Sequence, residues 1–196
     1  MLPRYDKNAR RKSFEQLPKG AYVVKILNAV EEHSKNGTGS HIKISFDIAE
    51  GEYAGFYAQQ YKANTNENKD WPYDAVFFVN IPYDGCPEWM RLNYNTFFAD
   101  LEDSNDGFVC TDAKAMKNKV IGGKFRIEQT TYNGNVYDHT RMKWSCVAGD
   151  VRSGKAGKLP NDKLIGQGKR ATKMADDETM DGFVNLPEGE EEELPF

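Results

Sequence analysis

The 196-residue chain has little of what reactive or metal-bound centres are built from. It has three cysteines (Cys86, Cys110, Cys146) and three histidines (His33, His41, His139), with no C-x-x-C pair and no zinc-ligand spacing. An odd number of cysteines cannot all pair within one chain, and scattered thiols fit a reducing compartment. No Gly-x-x-x-x-Gly-Lys-Ser/Thr loop is present, which argues against a P-loop nucleotide hydrolase. Gly166 and Gly168 before Lys169 have no preceding strand and read as spacing. No run approaches the roughly 18 apolar residues that a membrane helix needs. The basic N-terminal residues Arg4, Lys7, Arg10, Arg11 and Lys12 are not followed by the apolar stretch of a secretory signal. Asp84, Glu88, Asp100, Glu102 and Asp103 are acidic neighbours without a paired histidine. The expectation is a soluble cytoplasmic protein that is not an enzyme, with no catalytic residue, metal or cofactor.

What is present is a charge asymmetry. From 171 to 196 there are nine acidic residues and one basic, a net of −8. The chain's 26 basic and 30 acidic residues leave 25 and 21 for residues 1–170, a net of +4. A cationic body with an acidic tail suggests a polyanion-binding domain carrying an interaction segment. The hydrophobic fraction of 39% and charged fraction of 29% fit one packed core plus a polar segment.

Along the chain, residues 1–19 read as a mobile basic arm. Residues 21–30 are dense in β-formers, with Tyr22, Val24, Ile26 and Val30 on one face and Val23 and Leu27 on the other. A strand apolar on both faces suits a first barrel strand shared by two halves of a curved sheet. Asn36-Gly37 marks a hairpin turn. Ile42, Ile44, Phe46 and Ile48 then alternate with polar residues, the pattern of a half-exposed antiparallel strand. Phe56 to Tyr61 reads as a third strand, and the apolar run 75–81 fits neither helix nor strand decisively. Met90, Tyr94, Phe97, Phe98 and Leu101 form one helical stripe after Pro87. Strands follow over 119–130 and 136–147, joined by Asn133-Gly134. Ile121, Phe125 and Ile127 face Met142, Trp144 and Cys146 inside, while Lys124, Arg126, Glu128, Tyr137, His139, Arg141 and Lys143 point out. Residues 150–170 read as a flexible basic linker and 171–196 as an acidic disordered tail. The fold class expected is mainly β: an OB-fold-like five-stranded antiparallel barrel over 20–149, with one helix between strands three and four.

Such a barrel holds single strands with cations for phosphates and aromatic faces for bases. The candidates are Lys43, Lys124, Arg126, Arg141 and Lys143, with Tyr57, Tyr61, Trp71, Tyr73, Tyr132 and Tyr137. Each has a plainer alternative: a strand lysine can be merely solvated, and a tyrosine can be buried against the helix.

The chain closes with Glu190, Glu191, Glu192, Glu193, Leu194, Pro195 and Phe196. An apolar tip on an acidic segment gains nothing unless a partner buries it, so these residues are candidates for a partner-binding hook steered by charge. An acidic tail with an accidental apolar end is the alternative. This stretch resembles the acidic Pro-Phe tip of bacterial and phage single-stranded-DNA-binding proteins. The Gly20-Ala21-Tyr22 and Tyr132-Asn133-Gly134 segments resemble phage-encoded members. The long insertion at 62–86, the large helix and the basic linker depart from that family. The resemblance implies an OB-fold body, binding of single-stranded DNA without sequence preference, and recruitment of replication, recombination and repair proteins through the tip. It also implies a place in the host-cell cytoplasm, as a possible homo-oligomer. Alternatives from the same residues are a strand-annealing or recombination-mediator protein and a nuclease accessory factor.

Overall fold

A computed structural model describes residues 16–33 and 39–166. The expectations for the arm before residue 16, for the Asn36-Gly37 turn, and for the tail with its tip (190–196) lie outside the described residues.

Five strands form one antiparallel sheet: β1 (Ala21–His33), β2 (Ser40–Ile48), β3 (Val76–Ile81), β4 (Val120–Tyr132) and β5 (Asn135–Cys146). Their order is β3-β2-β1-β4-β5. The expected mainly β, OB-like architecture is present, with an open sheet: β3 and β5 are its edges and share no hydrogen-bonded ladder. β1 is shared by both halves, pairing with β4 through Ala21–Lys25 and with β2 through Val24–His33. Its register shifts between Ile26 and Asn28. A bulge of this kind reverses the alternation, so Val24, Ile26 and Ala29 are buried while Val30 is exposed. Val30 therefore does not share the face of Tyr22, Val24 and Ile26 that unbroken period-two counting assigned to it.

The third strand also differs from expectation. Phe56–Ala63 is helix α1, and the strand is the ambiguous run Val76–Ile81. Ala, Gln and Lys favour helix locally, and the start of α1 is held from a distance. The Asp47 carboxylate, buried at the end of β2, accepts from the amides of Tyr57 (2.9 Å) and Ala58 (3.2 Å), and also from Ile48 (2.9 Å). A carboxylate on the free N–H groups of a first turn neutralises both their hydrogen-bond deficit and the helix dipole. Gly55, at φ 73°, supplies the left-handed residue before it.

Helix α2 (Glu88–Asp103) lies between β3 and β4 as expected. Phe97 and Leu101 are buried, with Tyr94 and Phe98 packed partly against the core. Asn105 fixes its end: the side-chain amide donates to the carbonyls of Leu101 and Val120, both at 2.7 Å, and its oxygen accepts from the Val120 amide at 3.1 Å. Ile42, Ile44, Phe46, Ile121, Phe125 and Met142 fill the space between the sheet halves.

The body extends beyond residues 20–149 at both ends. Leu17, expected in the arm, is 2% exposed and belongs to the core, and Gln16 donates to Thr140. Residues 150–166, expected as flexible linker, are packed. Helix α3 (Ala148–Arg152) sits against β4 where Gly122 leaves room; a Cβ there would stand 2.8 Å from the Val151 methyl and 2.7 Å from Cys146 Sγ. Pro160 is fully buried. Lys163 then forms a parallel bridge to β4, with Lys163 N donating to Ile127 O and Gln129 N donating to Lys163 O, each at 2.9 Å. The cause is an unpaired edge: β1 starts at Ala21 and the last bond on that side is from Phe125 N to Gly20 O, so β4 beyond Phe125 has no strand there.

Candidate nucleic-acid interface

Strand alternation gives the sheet an outer face, and a mixed aromatic and cationic surface crosses it. On β2, Lys43 stands opposite Phe78 of β3 and pairs with Glu32 at 3.4 Å. Phe78 is 39% exposed, and the edge of His41 packs on it at 5.2 Å. Its neighbour Phe77 turns inward onto Phe97. Tyr73, in the 3-10 turn Tyr73–Ala75 before β3, lies 6.2 Å from Phe78 and is 59% exposed. The Arg141 guanidinium lies over its ring at 4.7 Å, a cation–π contact that fixes the ring without burying it.

Between the sheet edges, side chains join what the backbone leaves open. Asp74 accepts from Arg141 Nε at 2.9 Å and from His139 Nδ1 at 3.1 Å. An ionised carboxylate only accepts, so Nδ1 carries the proton; in the neutral ring Nε2 then accepts from Thr130 Oγ at 3.0 Å. On β4 and β5, Arg126 lies directly opposite Arg141, Glu128 opposite His139, and Thr130 opposite Tyr137. Facing arginines repel, and Glu128 separates them, accepting from Arg126 Nε at 2.8 Å and lying 3.6 Å from Arg141 Nη1. Lys124 pairs with Trp144 and Phe125 with Met142, which leaves Lys143 unpaired at a bulge and pointing outward.

Lys43, Tyr73, Arg126, Arg141 and Lys143 thus share one surface running from β2 across the open edge to β4. Tyr61 and Trp71 form a second aromatic pair, with rings 5.6 Å apart and Lys69 Nζ 4.7 Å from the Tyr61 ring. Trp71 Nε1 donates to Phe46 O at 3.2 Å, a β2 carbonyl beyond the start of β3. This bond anchors the loop between α1 and β3. Tyr132 (65% exposed) and Tyr137 (47%) stand out on the β4–β5 hairpin.

Two candidates are placed differently. Tyr57 is 2% exposed and packs edge-on against Phe46 and Phe56, so its ring cannot stack on a base. The reason is the helix that replaced the expected strand, which turns Tyr57 into the core. Its hydroxyl has no hydrogen-bond partner among the described residues, and burial pushes its pKa far above the ordinary tyrosine value. Lys124 keeps the expected side of β4, but the packed C-terminal segment approaches it: its Nζ is 3.7 Å from where a Gly157 Cβ would stand.

Sequence reading missed Phe78, Lys69 and Lys163. Phe78 had a signal: adjacent phenylalanines on a strand must point to opposite faces. Lys163 had none, because nothing local marks a segment that pairs with a strand more than thirty residues earlier.

Among the described residues no group of His, Cys, Asp and Glu has the arrangement of a metal site, and no helix is long and apolar enough to cross a membrane. Residues 4–100 match a family described as a protein of unknown function (DUF669). The match covers 97 of 196 residues, from the arm into α2, and stops before β4 and β5. No curated protein matches the chain.

Proposed function

We propose that the protein binds single-stranded DNA without sequence preference, in replication or recombination, along the outer face of its OB-like sheet. The observation that carries this reading is the joining of exposed aromatic rings and cations on one continuous face: Phe78 and Tyr73 beside Lys43, Arg141, Arg126 and Lys143. Stacking accepts any base, and cations follow the backbone whatever the sequence. In this reading the binding partner is a polyanion with unpaired bases, and no bond is made or broken. The tip Glu190–Phe196 recruits partner proteins, as its resemblance to the phage and bacterial single-strand binders implies.

Fluorescence anisotropy of a labelled oligo-dT, titrated at several salt concentrations with equal-length duplex as competitor, tests this function. The expected result is salt-sensitive binding that duplex does not displace. Absence of binding at low salt, or equal displacement by duplex, overturns it.

A further inference from the structure

The surface does not stop at β4. Parallel bridging places Lys163 beside Glu128, so both side chains leave the same face of the sheet as Arg126 and Arg141. Five polar contacts help hold the segment that presents Lys163. Its backbone makes the two 2.9 Å ladder bonds with Ile127 and Gln129. Asp162 Oδ1 accepts from the Ile127 amide at 3.0 Å, and the same oxygen pairs with Lys19 at 2.9 Å. Gln129 Oε1 accepts from the Ile165 amide at 3.1 Å, and buried Pro160 fixes the approach.

Lys163 and Lys143 are both exposed, and neither has an ion-pair partner among the described residues. Arg126 and Arg141 are already engaged by Glu128 and Asp74. The two lysines are therefore the cations of this face with most to gain from an anion. Desolvation first, and then the neighbouring charges of Arg126 and Lys163, hold the Lys143 ammonium below the ordinary lysine pKa, against the opposing effect of Glu128. The side chain nonetheless stays exposed, and the repulsion from Arg126 and Lys163 is the part of this cost that a phosphate can relieve.

We infer that Lys143 and Lys163 flank Arg126 as a clamp for the phosphate backbone of a single strand, completed by the docking of residues 160–165 on the free edge of β4. It rests on the proposed single-strand binding and assigns a phosphate subsite to a segment that composition marks only as linker. The aromatic rings over β2 and β3 take the bases of one stretch of the strand, and the clamp takes the backbone of the next.

The test uses the full chain and the salt dependence of oligo-dT binding. K143Q and K163Q each lower the log–log slope by about 0.7, the value for one phosphate contact on a single strand. R152Q, which removes a cation paired with Glu50 beside Tyr22 and Tyr53, leaves the slope unchanged. D162A distinguishes presentation from net charge. It removes a carboxylate, so a purely electrostatic effect strengthens binding, whereas release of the segment from Ile127 and Lys19 weakens it and lowers the slope. Wild-type binding with unchanged slopes in both lysine variants overturns the clamp and leaves the single-strand reading standing. Tighter binding by D162A overturns the role of docking. No binding by the wild-type chain overturns both readings.

Discussion

The two halves of the sheet meet along β1 and present different chemistry to the outside. The β2–β3 half exposes rings, with Phe78 and Tyr73 beside one lysine already paired with Glu32. The β4–β5 half exposes charge, with Arg126, Arg141 and Lys143 held around Glu128 and tyrosines only toward the hairpin tip. Asp74 belongs to the first half by sequence and to the second by its bonds with Arg141 and His139. On the proposed single-strand reading, a surface divided in this way separates the two parts of binding: one half for base stacking, the other for the backbone.

The division is most strongly tested by removing the rings. The double substitution Tyr73→Ala with Phe78→Ala lowers oligo-dT affinity by about 1–3 kcal/mol per stacked base at every salt concentration, while the salt slope stays put. A changed slope would blur the distinction between the halves. Asp47→Ala strikes the β2–β3 half through stability. It leaves three amides without their buried acceptor and costs about 2–3 kcal/mol in chemical denaturation, with α1 loosened first. Unaltered stability would mean that α1 does not depend on Asp47.

Tyr57→Phe separates core from interface. Removing a buried hydroxyl that lacks a partner raises stability by about 1 kcal/mol and leaves DNA affinity unchanged; weaker binding would return Tyr57 to the interface. The smallest expected effect is at Asp100 of α2, where burial raises the carboxyl pKa despite the hydrogen bond from Ser145. The folded state then binds this proton more tightly than the unfolded chain. The Asp100 contribution to stability therefore falls as pH rises from the ordinary aspartate pKa through the folded value. Asp100→Asn flattens that part of the stability–pH curve, and a curve identical to wild type would contradict the burial effect.

How much of this was legible in the sequence depended on the range of the interaction that decides each feature. The alternation of β2 and the stripe of α2 follow from the period of side chains along one element, and both were readable. α1 was misread because the decisive group, Asp47, lies ten residues before Tyr57 in another element. Val30 was misplaced because a single bulge inverted a phase that sequence counting assumes to be unbroken. The packing of residues 150–166 was hidden for a related reason. Its glycines and lysines carry no apolar period, and what fixes it is the vacant edge of β4. Of the candidate site, alternation was enough to set Arg126, Arg141 and Tyr137 on one side of the β4–β5 ladder, but not to foresee the bulge that sets Trp144, read as inward, opposite Lys124, read as outward. The continuation of that side onto Phe78 and Lys163 required knowing which strands lie at the edges.

The most direct test of the central claim is photocrosslinking of oligo-dT to the full chain, with the attachment sites mapped by mass spectrometry. Crosslinks concentrated at Tyr73 and Phe78, with weaker ones at Tyr61 or Trp71, are the predicted result. Crosslinks confined to the surface around Tyr22 and Tyr53, or to the exposed side of α2, would contradict the assignment of the outer β2–β3 face to bases.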